Sequence, residues 1–396
     1  MNRRILALLL ALVMVAGLMT GCASGKQEAA APETAQTESP AAEETTAEPE
    51  QTEEVPAEEE APKAPETVSF TDSLGRTVEL PADITRIAPS GAVATMILAA
   101  IAPECMVTIN AAPSESQIAF LPANLAALPE TGQMYGSKAD LNLETLLAAD
   151  PQVVIDLGDK KGDMTEDLDA LQAQIGIPVV FIEADLAHMA AAFRTLGGLL
   201  SGKSDRGEEL AALVDRTTAM AEENAAKITD DMRVRAMYTT GEDGLGTNAA
   251  GSMQAQVLDM VGVENAVVVE DVSNKGGGNI ISLEQLYNFD PDVILFADGS
   301  IYSTVTDDSA WSQLTAISTG KYYEVPGSPY SWLSGPPSMN MILGVWWLGN
   351  LIYPEIYNYD METITQELYK TLWGYELSSE EVTALLGNST LKVATQ

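Results

Sequence analysis

The residue types from which most catalytic and metal sites are built are scarce in this chain. Its 396 residues include one histidine, His188, and two cysteines, Cys22 and Cys105. No serine stands in the Gly-x-Ser-x-Gly pattern of hydrolases, and one histidine cannot make a multi-histidine zinc or manganese site. Carboxylates are plentiful, with 58 Asp and Glu, so composition leaves a glycosidase-type pair open. The sequence favours ligand binding over catalysis, and we expect no cofactor and no metal held by the protein alone.

Aromatic, amide and lysine side chains form a second set of candidate functional residues, which could contact a ligand. They fall in loops that follow predicted strands, which is where open α/β sheets place their ligands. Aromatic faces and a few donors suit a flat or chelated ligand. The lysines would neutralise an anionic ligand if they face a cleft, and would be solvated if they do not. The predicted ligand contacts are Tyr135, Lys160, Lys161, Asn248, Lys275, Asn279, Tyr302 and Trp332.

The lone histidine and the second cysteine are better explained by structure than by chemistry. His188 lies in a segment of helical spacing with Leu186, Met189 and Phe193, which is typical of a residue at the edge of the core. Cys105 lies among apolar residues and indicates a buried, inert thiol.

Short apolar runs alternate with segments of helical spacing from residue 67 onward, a pattern that predicts α/β units around mostly parallel sheets. One longer helical segment, Ser204 to Ile228, has no flanking strand, and we interpret it as a rigid bridge between two lobes. The predicted strands are Arg86–Ala88, Val153–Leu157, Val179–Ile182, Arg233–Tyr238, Val293–Ala297 and Tyr322–Val325.

An internal repeat supports two similar lobes. Residues 141–155 read LNLETLLAADPQVVI, and residues 281–295 read ISLEQLYNFDPDVIL. In each copy a Leu-Glu pair opens a short amphipathic helix, and Asp-Pro then ends that helix and starts a buried strand. Glu144 and Glu284 occupy the same position in the two copies. Asp-Pro is common between a helix and a strand in α/β proteins, but the glutamates at matching positions favour a true repeat.

The N-terminus predicts export. Arg3 and Arg4 precede an apolar stretch that ends in small residues at Gly21-Cys22, which is the order of a secretory signal. The cleavage region resembles a bacterial lipobox, with Met19 where Leu is usual, so residues 1–22 are a predicted signal peptide and Cys22 the lipidated residue. Residues 28–66 hold thirteen Glu against one Lys and lack aromatic residues, so we predict that residues 23–66 form a disordered acidic tether.

The net charge of −38 argues against nucleic-acid binding and against a body that lies flat on anionic lipid. The predicted organisation after the tether is an N-terminal α/β lobe at 67–203, a bridging helix at 204–228 and a C-terminal α/β lobe at 229–396.

The hairpin FTDSLGRTVELP at 70–81, the two Glu-helix-Asp-Pro segments and the late Trp347-Leu348 resemble the iron-siderophore, haem and cobalamin binding proteins of ABC importers. The resemblance spans about residues 67–375. It implies two α/β lobes with mostly parallel sheets, joined by one long rigid helix, with the ligand in the cleft between them. It also implies that Glu144 and Glu284 dock on arginines of the membrane permease. The alternative is that both carboxylates only stabilise the N-termini of their helices through the helix dipole.

These observations predict a lipid-anchored, monomeric, extracytoplasmic substrate-binding component of an ABC importer. The expected ligand is a metal complex: iron-siderophore, haem or cobalamin. A molybdate- or tungstate-type oxyanion, and a non-transporting surface sensor, are the alternatives. Arginine is absent from most candidate loops, unlike in many ferric-siderophore binders, so the ligand stays open.

Overall fold

The structure is a computed structural model that describes residues 66–135, 140–274 and 277–391. The predicted signal peptide, Cys22 and almost all of the tether lie outside these residues, and so does Lys275. The described residues form one compact unit. No helix within the described residues is long and apolar enough to cross a bilayer.

Two separate sheets with parallel cores organise the chain, which confirms the predicted α/β class. The strands are β1 Thr67–Thr71, β2 Thr77–Pro81, β3 Ile87–Pro89, β4 Val153–Gly158, β5 Val179–Glu183, β6 Arg235–Thr240, β7 Gly246–Thr247, β8 Glu264–Asn265, β9 Asn279–Ile280, β10 Val293–Phe296 and β11 Tyr322–Glu324. The first sheet has the order β3-β4-β5, and all its pairings are parallel. The second has the order β11-β10-β6-β7-β9, with β8 beside β6; β6, β10 and β11 run parallel, and β7 and β9 add antiparallel edge pairings. We refer to the parts built on the two sheets as the first and second lobes.

Helices cover both faces of each sheet, and the strands read as continuous apolar runs for that reason. The helices are α1 Ala92–Ile101, α2 Glu115–Ile118, α3 Leu143–Ala148, α4 Met164–Ile175, α5 Met189–Leu199, α6 Ser204–Ala225, α7 Gln256–Met260, α8 Leu283–Phe289, α9 Thr315–Ser318, α10 Met341–Ile352, α11 Met361–Trp373 and α12 Ser379–Leu386. In β4, Val153 and Ile155 face the largest apolar cluster, whereas Val154 faces a second cluster with helix α4.

Helix α6 is the long helix between the two sheets. It has 22 residues and ends three residues before the predicted Ile228, so it is about 33 Å long. It packs closely on α5, because a Cβ on Gly207 would stand 2.6 Å from the carbonyl oxygen of Phe193 and 2.7 Å from the Cα of Gly197. Only glycine permits this approach of the two backbones.

The C-terminal helices add a second connection between the lobes. Arg206 of α6 donates to the carbonyl oxygen of Ala100 in α1 and to that of Thr371 in α11. The ring of Phe120 packs edge-on against Tyr369 of α11, with centroids 5.6 Å apart. The bridge is therefore wider than one helix, because α11 also reaches the first lobe.

The segment Gly197 to Ser204 has the letters of a phosphate-binding loop, G-x-x-x-x-G-K-S. Such a loop needs a strand before it and a helix after it, but here Gly197 lies inside α5 and Ser204 begins α6. Gly202 takes a positive φ of 70° at the turn, and Lys203 forms an ion pair with Glu104. The segment is a turn between two helices.

The opening hairpin supports the first sheet through a buried ion pair. Arg76 and Asp72 lie 3.0 Å apart with almost no exposed side-chain surface. Asp72 also accepts from the amide of Phe181 in β5, and Arg76 donates to the carbonyl oxygen of Val179. The hairpin thus satisfies backbone groups along the open edge of β5.

Candidate ligand site and docking helices

Ser90 and Asp156 meet at the carboxyl edge of the first sheet. Ser90 follows β3, Asp156 lies in β4 opposite it, and the Ser90 hydroxyl donates to Oδ1 of Asp156. The Asp156 side chain is buried, and this burial raises its pKa to about 6, against lowering by the Ser90 hydrogen bond and by Lys161. Asp156 is thus a buried carboxyl at the edge where ligands bind in such sheets.

Three predicted contacts of the first lobe come together beside Asp156. The ammonium of Lys161 lies 5.3 Å from the ring centre of Tyr135, within cation–π range. Burial raises the pKa of Tyr135, and the nearby Asp156 and Asp167 carboxylates raise it further. Lys160 lies in the same loop after β4. The structure therefore brings Tyr135, Lys160 and Lys161 to one end of the first sheet.

Both lysines of this loop already have acidic partners. Lys160 Nζ lies 2.9 Å from Oε2 of Glu183, and Lys161 Nζ lies 3.5 Å from Oδ1 of Asp159. Both lysines remain about half exposed, so water screens these pairs. The positive charge predicted to face a ligand is therefore partly offset by Asp159 in the same loop and by Glu183 at the end of β5.

Asn248 and Asn279 lie close together in the second lobe. Asn248 follows β7 and is buried, and its side-chain nitrogen and oxygen have no hydrogen-bond partner among the described residues. Its Oδ1 lies against Gly278, where a Cβ would stand 2.6 Å away. Asn279 donates to the carbonyl oxygen of Asp271 and accepts from the amide of Ser273, so its amide holds the loop before β9.

Tyr302 and Trp332, unlike Asn248 and Asn279, pack in apolar clusters. The ring of Tyr302 packs 6.0 Å from Phe296 and 5.7 Å from Tyr322, in the apolar cluster on one face of the second sheet. Trp332 has no exposed surface and packs against Trp347 and Tyr369 in the largest cluster. In this conformation Trp332 offers a ligand no surface to contact, so the prediction for Trp332 is corrected to a core position.

A direct hydrogen bond joins the two lobes near these loops. The amide of Leu186, in the loop after β5, donates to Oε1 of Gln256 at the start of α7 over 3.2 Å. Neighbouring Gln254 donates to the carbonyl oxygen of Asn274 in the loop of the second lobe. Neither glutamine was among the predicted site residues, because glutamine at a helix start carries no ligand signal of its own.

The internal repeat extends to matching side-chain contacts. Arg86, next to β3, donates to the carbonyl oxygens of Ala149 and Asp150 at the end of α3. Arg235, at the start of β6, donates to those of Phe289 and Asp290 at the end of α8. The accepting positions differ by 140 residues in both cases, like the sequence repeat. Each arginine fixes the end of its helix against its sheet.

Glu144 and Glu284 are exposed in the first turns of α3 and α8. Asn142 caps α3 by accepting from the amide of Thr145, and Ser282 and Gln285 make a capping box on α8. Since the caps already satisfy these amides, neither glutamate is needed as the cap itself.

Both helices begin at the ligand side of their sheets. Just before α3, the amide of Asn142 donates to the carbonyl oxygen of Thr131. Two residues after Thr131, Gln133 lies against Gly91, which follows the end of β3. Just before α8, the amide of Ile281 donates to the carbonyl oxygen of Leu245, next to β7 at the end of β6. Glu144 and Glu284, in the first turns of these helices, therefore lie near the carboxyl edges of the two sheets.

Neither His188 nor two further surface pockets include any of the predicted ligand contacts. His188 precedes α5, is half exposed, and its Nδ1 lies 2.6 Å from Oδ1 of Asp185. One pocket lies beside α12 and includes Asp298 and Glu324 from the carboxyl edge of the second sheet. The other is apolar and lies among α10, α11 and α12. Within the described residues, no group of three or more His, Cys, Asp or Glu could hold a metal ion.

Comparison with known proteins identifies the family. A sequence profile described as periplasmic binding protein matches residues 104–329, more than half of the chain. The chain belongs to the periplasmic binding protein family. No curated protein sequence matches it. An ABC transporter solute-binding protein from Sulfurospirillum deleyianum is 28% identical, with 81% of this chain and 99% of that chain covered and a TM-score of 0.74.

Two further solved structures of periplasmic binding proteins share the fold. The molybdate-binding MolA of Haemophilus influenzae is 20% identical, covers 78% of this chain and 99% of its own, and has a TM-score of 0.65. The haem-binding RhuT of a Roseiflexus species is 18% identical, covers 68% of this chain and 98% of its own, and has a TM-score of 0.51. The chain is a solute-binding protein of ABC transporters, a class that works outside the cytoplasm and delivers small ligands to permeases.

Proposed function

We propose that this periplasmic binding protein, held by a lipid anchor at Cys22, captures a metal complex of the iron-siderophore, haem or cobalamin type. It delivers this ligand to an ABC permease on which Glu144 and Glu284 dock. The observation that carries the ligand class is the pairing of Lys160 with Glu183 and of Lys161 with Asp159 beside the Tyr135 ring. A compact oxyanion concentrates its charge and needs unpaired cations or convergent donors. A chelate spreads its charge over a large surface and contacts aromatic rings.

Within the proposed cleft, Tyr135, Lys160 and Lys161 contact the ligand from the first lobe and Asn248 from the second. The amide of Asn248, which has no hydrogen-bond partner among the described residues, supplies two N–H donors and one acceptor oxygen, and burial makes an unmade hydrogen bond costly there. Tyr302, in the apolar cluster of the second sheet, completes the proposed aromatic contacts, while Asn279 holds the loop before β9. Lys275 belongs to the same loop by sequence and remains a predicted contact.

Native mass spectrometry of the protein purified from its own host tests the ligand class. We expect added mass that matches a chelated iron, a haem or a corrinoid. Titration calorimetry with haem, cyanocobalamin, a ferric hydroxamate and molybdate then compares affinities. Tyr135→Leu should weaken binding of the metal complex about tenfold or more, since it removes the aromatic surface beside Lys161. Tight binding of molybdate alone would contradict the proposal and favour the oxyanion alternative.

A further inference from the structure

We propose that each docking helix carries an apolar contact beside its glutamate, Leu147 in α3 and Tyr287 in α8, and that this pair helps to bind the permease. The inference rests on the proposed docking role of Glu144 and Glu284, and it adds the chemistry of the partner surface. The partner must therefore present two equivalent sites, each with a cationic side chain beside an apolar pocket.

The first reason is exposure. Leu147 is 46% exposed and Tyr287 is 43% exposed, and Leu283 in the first turn of α8 is 42% exposed. Exposed apolar residues scattered singly need no explanation. Here the exposed positions fall on both copies of one repeat, and Leu147 and Tyr287 are related by the 140-residue offset that relates Glu144 to Glu284.

The second reason is helical geometry. Leu147 follows Glu144 by three residues, and Tyr287 follows Glu284 by three. Side chains three apart lie next to each other on the surface of a helix, so each helix presents a carboxylate beside an apolar group. An apolar group next to an ion pair keeps water from it when a partner docks, and the attraction is then stronger than at an open surface.

The third reason is that both helices are held in place before any partner binds. Arg86 and Arg235 fix the ends of α3 and α8, as described above. The Tyr287 hydroxyl donates to the carbonyl oxygen of Ala310 over 2.7 Å, which fixes the ring while leaving much of it exposed. A surface that is already ordered loses little conformational entropy on binding. The same presentation in both lobes fits a permease with two equivalent docking faces.

The test compares binding of the full-length, ligand-loaded protein to its host's permease in lipid nanodiscs. Leu147→Ala combined with Tyr287→Ala should weaken docking about tenfold or more, as expected when apolar anchors next to charges are removed. The control is Ile118→Ala combined with Met232→Ala, because these side chains are 44% and 40% exposed but lie outside the repeat. The control should bind like the wild type, ligand affinity should be unchanged in both variants, and circular dichroism should confirm that both remain folded.

The outcomes separate this inference from the proposed docking role. If Glu144→Lys with Glu284→Lys abolishes binding while the apolar variant binds normally, the apolar contact is wrong and docking by the glutamates stands. If neither variant affects binding, the docking role itself is wrong. Sedimentation of the protein alone gives the remaining outcome: a wild-type dimer that the apolar variant dissociates would assign Leu147 and Tyr287 to contacts between two copies of this chain.

Discussion

The amide of Leu186 donates to Oε1 of Gln256 over 3.2 Å, and this bond joins the loop after β5 to the first turn of α7 in the other lobe. It lies near the carboxyl edges of both sheets, where the proposed ligand contacts are found. Together with α6 and α11, it restricts the movement of one lobe against the other.

We therefore predict little closure when ligand binds. Hinge motion in two-lobed proteins is taken up by a few loop residues, whereas here a 22-residue helix and the Arg206 contacts to both lobes oppose it. Small-angle scattering with and without ligand should give radii of gyration that differ by less than about 1 Å. A compaction of several ångströms would show that the lobes hinge despite these contacts.

A second prediction concerns the pH dependence of stability. Burial raises the pKa of Asp156 to about 6, above its usual value of 3.8, so between about pH 4 and 6 the folded protein holds a proton that the unfolded chain has released. Raising the pH through this window should lower the free energy of unfolding, by up to about 3 kcal/mol from this group.

Asp156→Asn removes that titration and leaves an oxygen to accept from Ser90. Urea unfolding of both proteins from pH 4 to 7 checks the prediction. The stability of the variant relative to the wild type should rise as the pH rises. A difference that stays constant with pH would mean that Asp156 does not titrate in this range.

A third prediction follows from the N-terminal sequence. Cys22→Ala removes the predicted lipidation site, so the protein should remain an unprocessed precursor or appear in the medium. Metabolic labelling with a fatty acid, followed by cell fractionation, measures both effects. Cys105→Ala is the matched control, because this second cysteine is buried in the folded part. Lipid labelling that persists in the Cys22 variant would place the anchor elsewhere.

The sequence predicted the sheets well, because their signals are local. An Asp-Pro pair followed by an apolar run predicted both β4 and β10. The repeat of residues 141–155 at 281–295 predicted two similar units. The sequence could not show that Arg86 pairs with the end of α3, 63 residues away, or that Arg235 repeats this contact in the second lobe. Such pairings depend on tertiary packing, which a single sequence does not display.

The predicted ligand contacts were harder to place. Trp332 stands in a loop rich in Gly, Pro and Ser, which resembles a binding loop, but long-range packing on Trp347 and Tyr369 takes it into the core. Conversely, Asp156 was missed although the sequence carries a signal for it, since a lone Asp interrupts the apolar strand Val153 to Leu157. A charge within a buried strand needs a partner, and Ser90 supplies one.

We propose that this protein docks on its permease through Glu144 and Glu284. The most direct measurement is uptake of a radiolabelled metal complex by cells that carry Glu144→Lys and Glu284→Lys. Each reversal replaces an attraction with a repulsion, so uptake should fall at least about tenfold while the ligand affinity of the purified protein is unchanged. Glu362→Lys with Glu380→Lys, in the first turns of α11 and α12, makes the same change in charge and should leave uptake near normal. Uptake that survives the reversal of Glu144 and Glu284 would contradict the account.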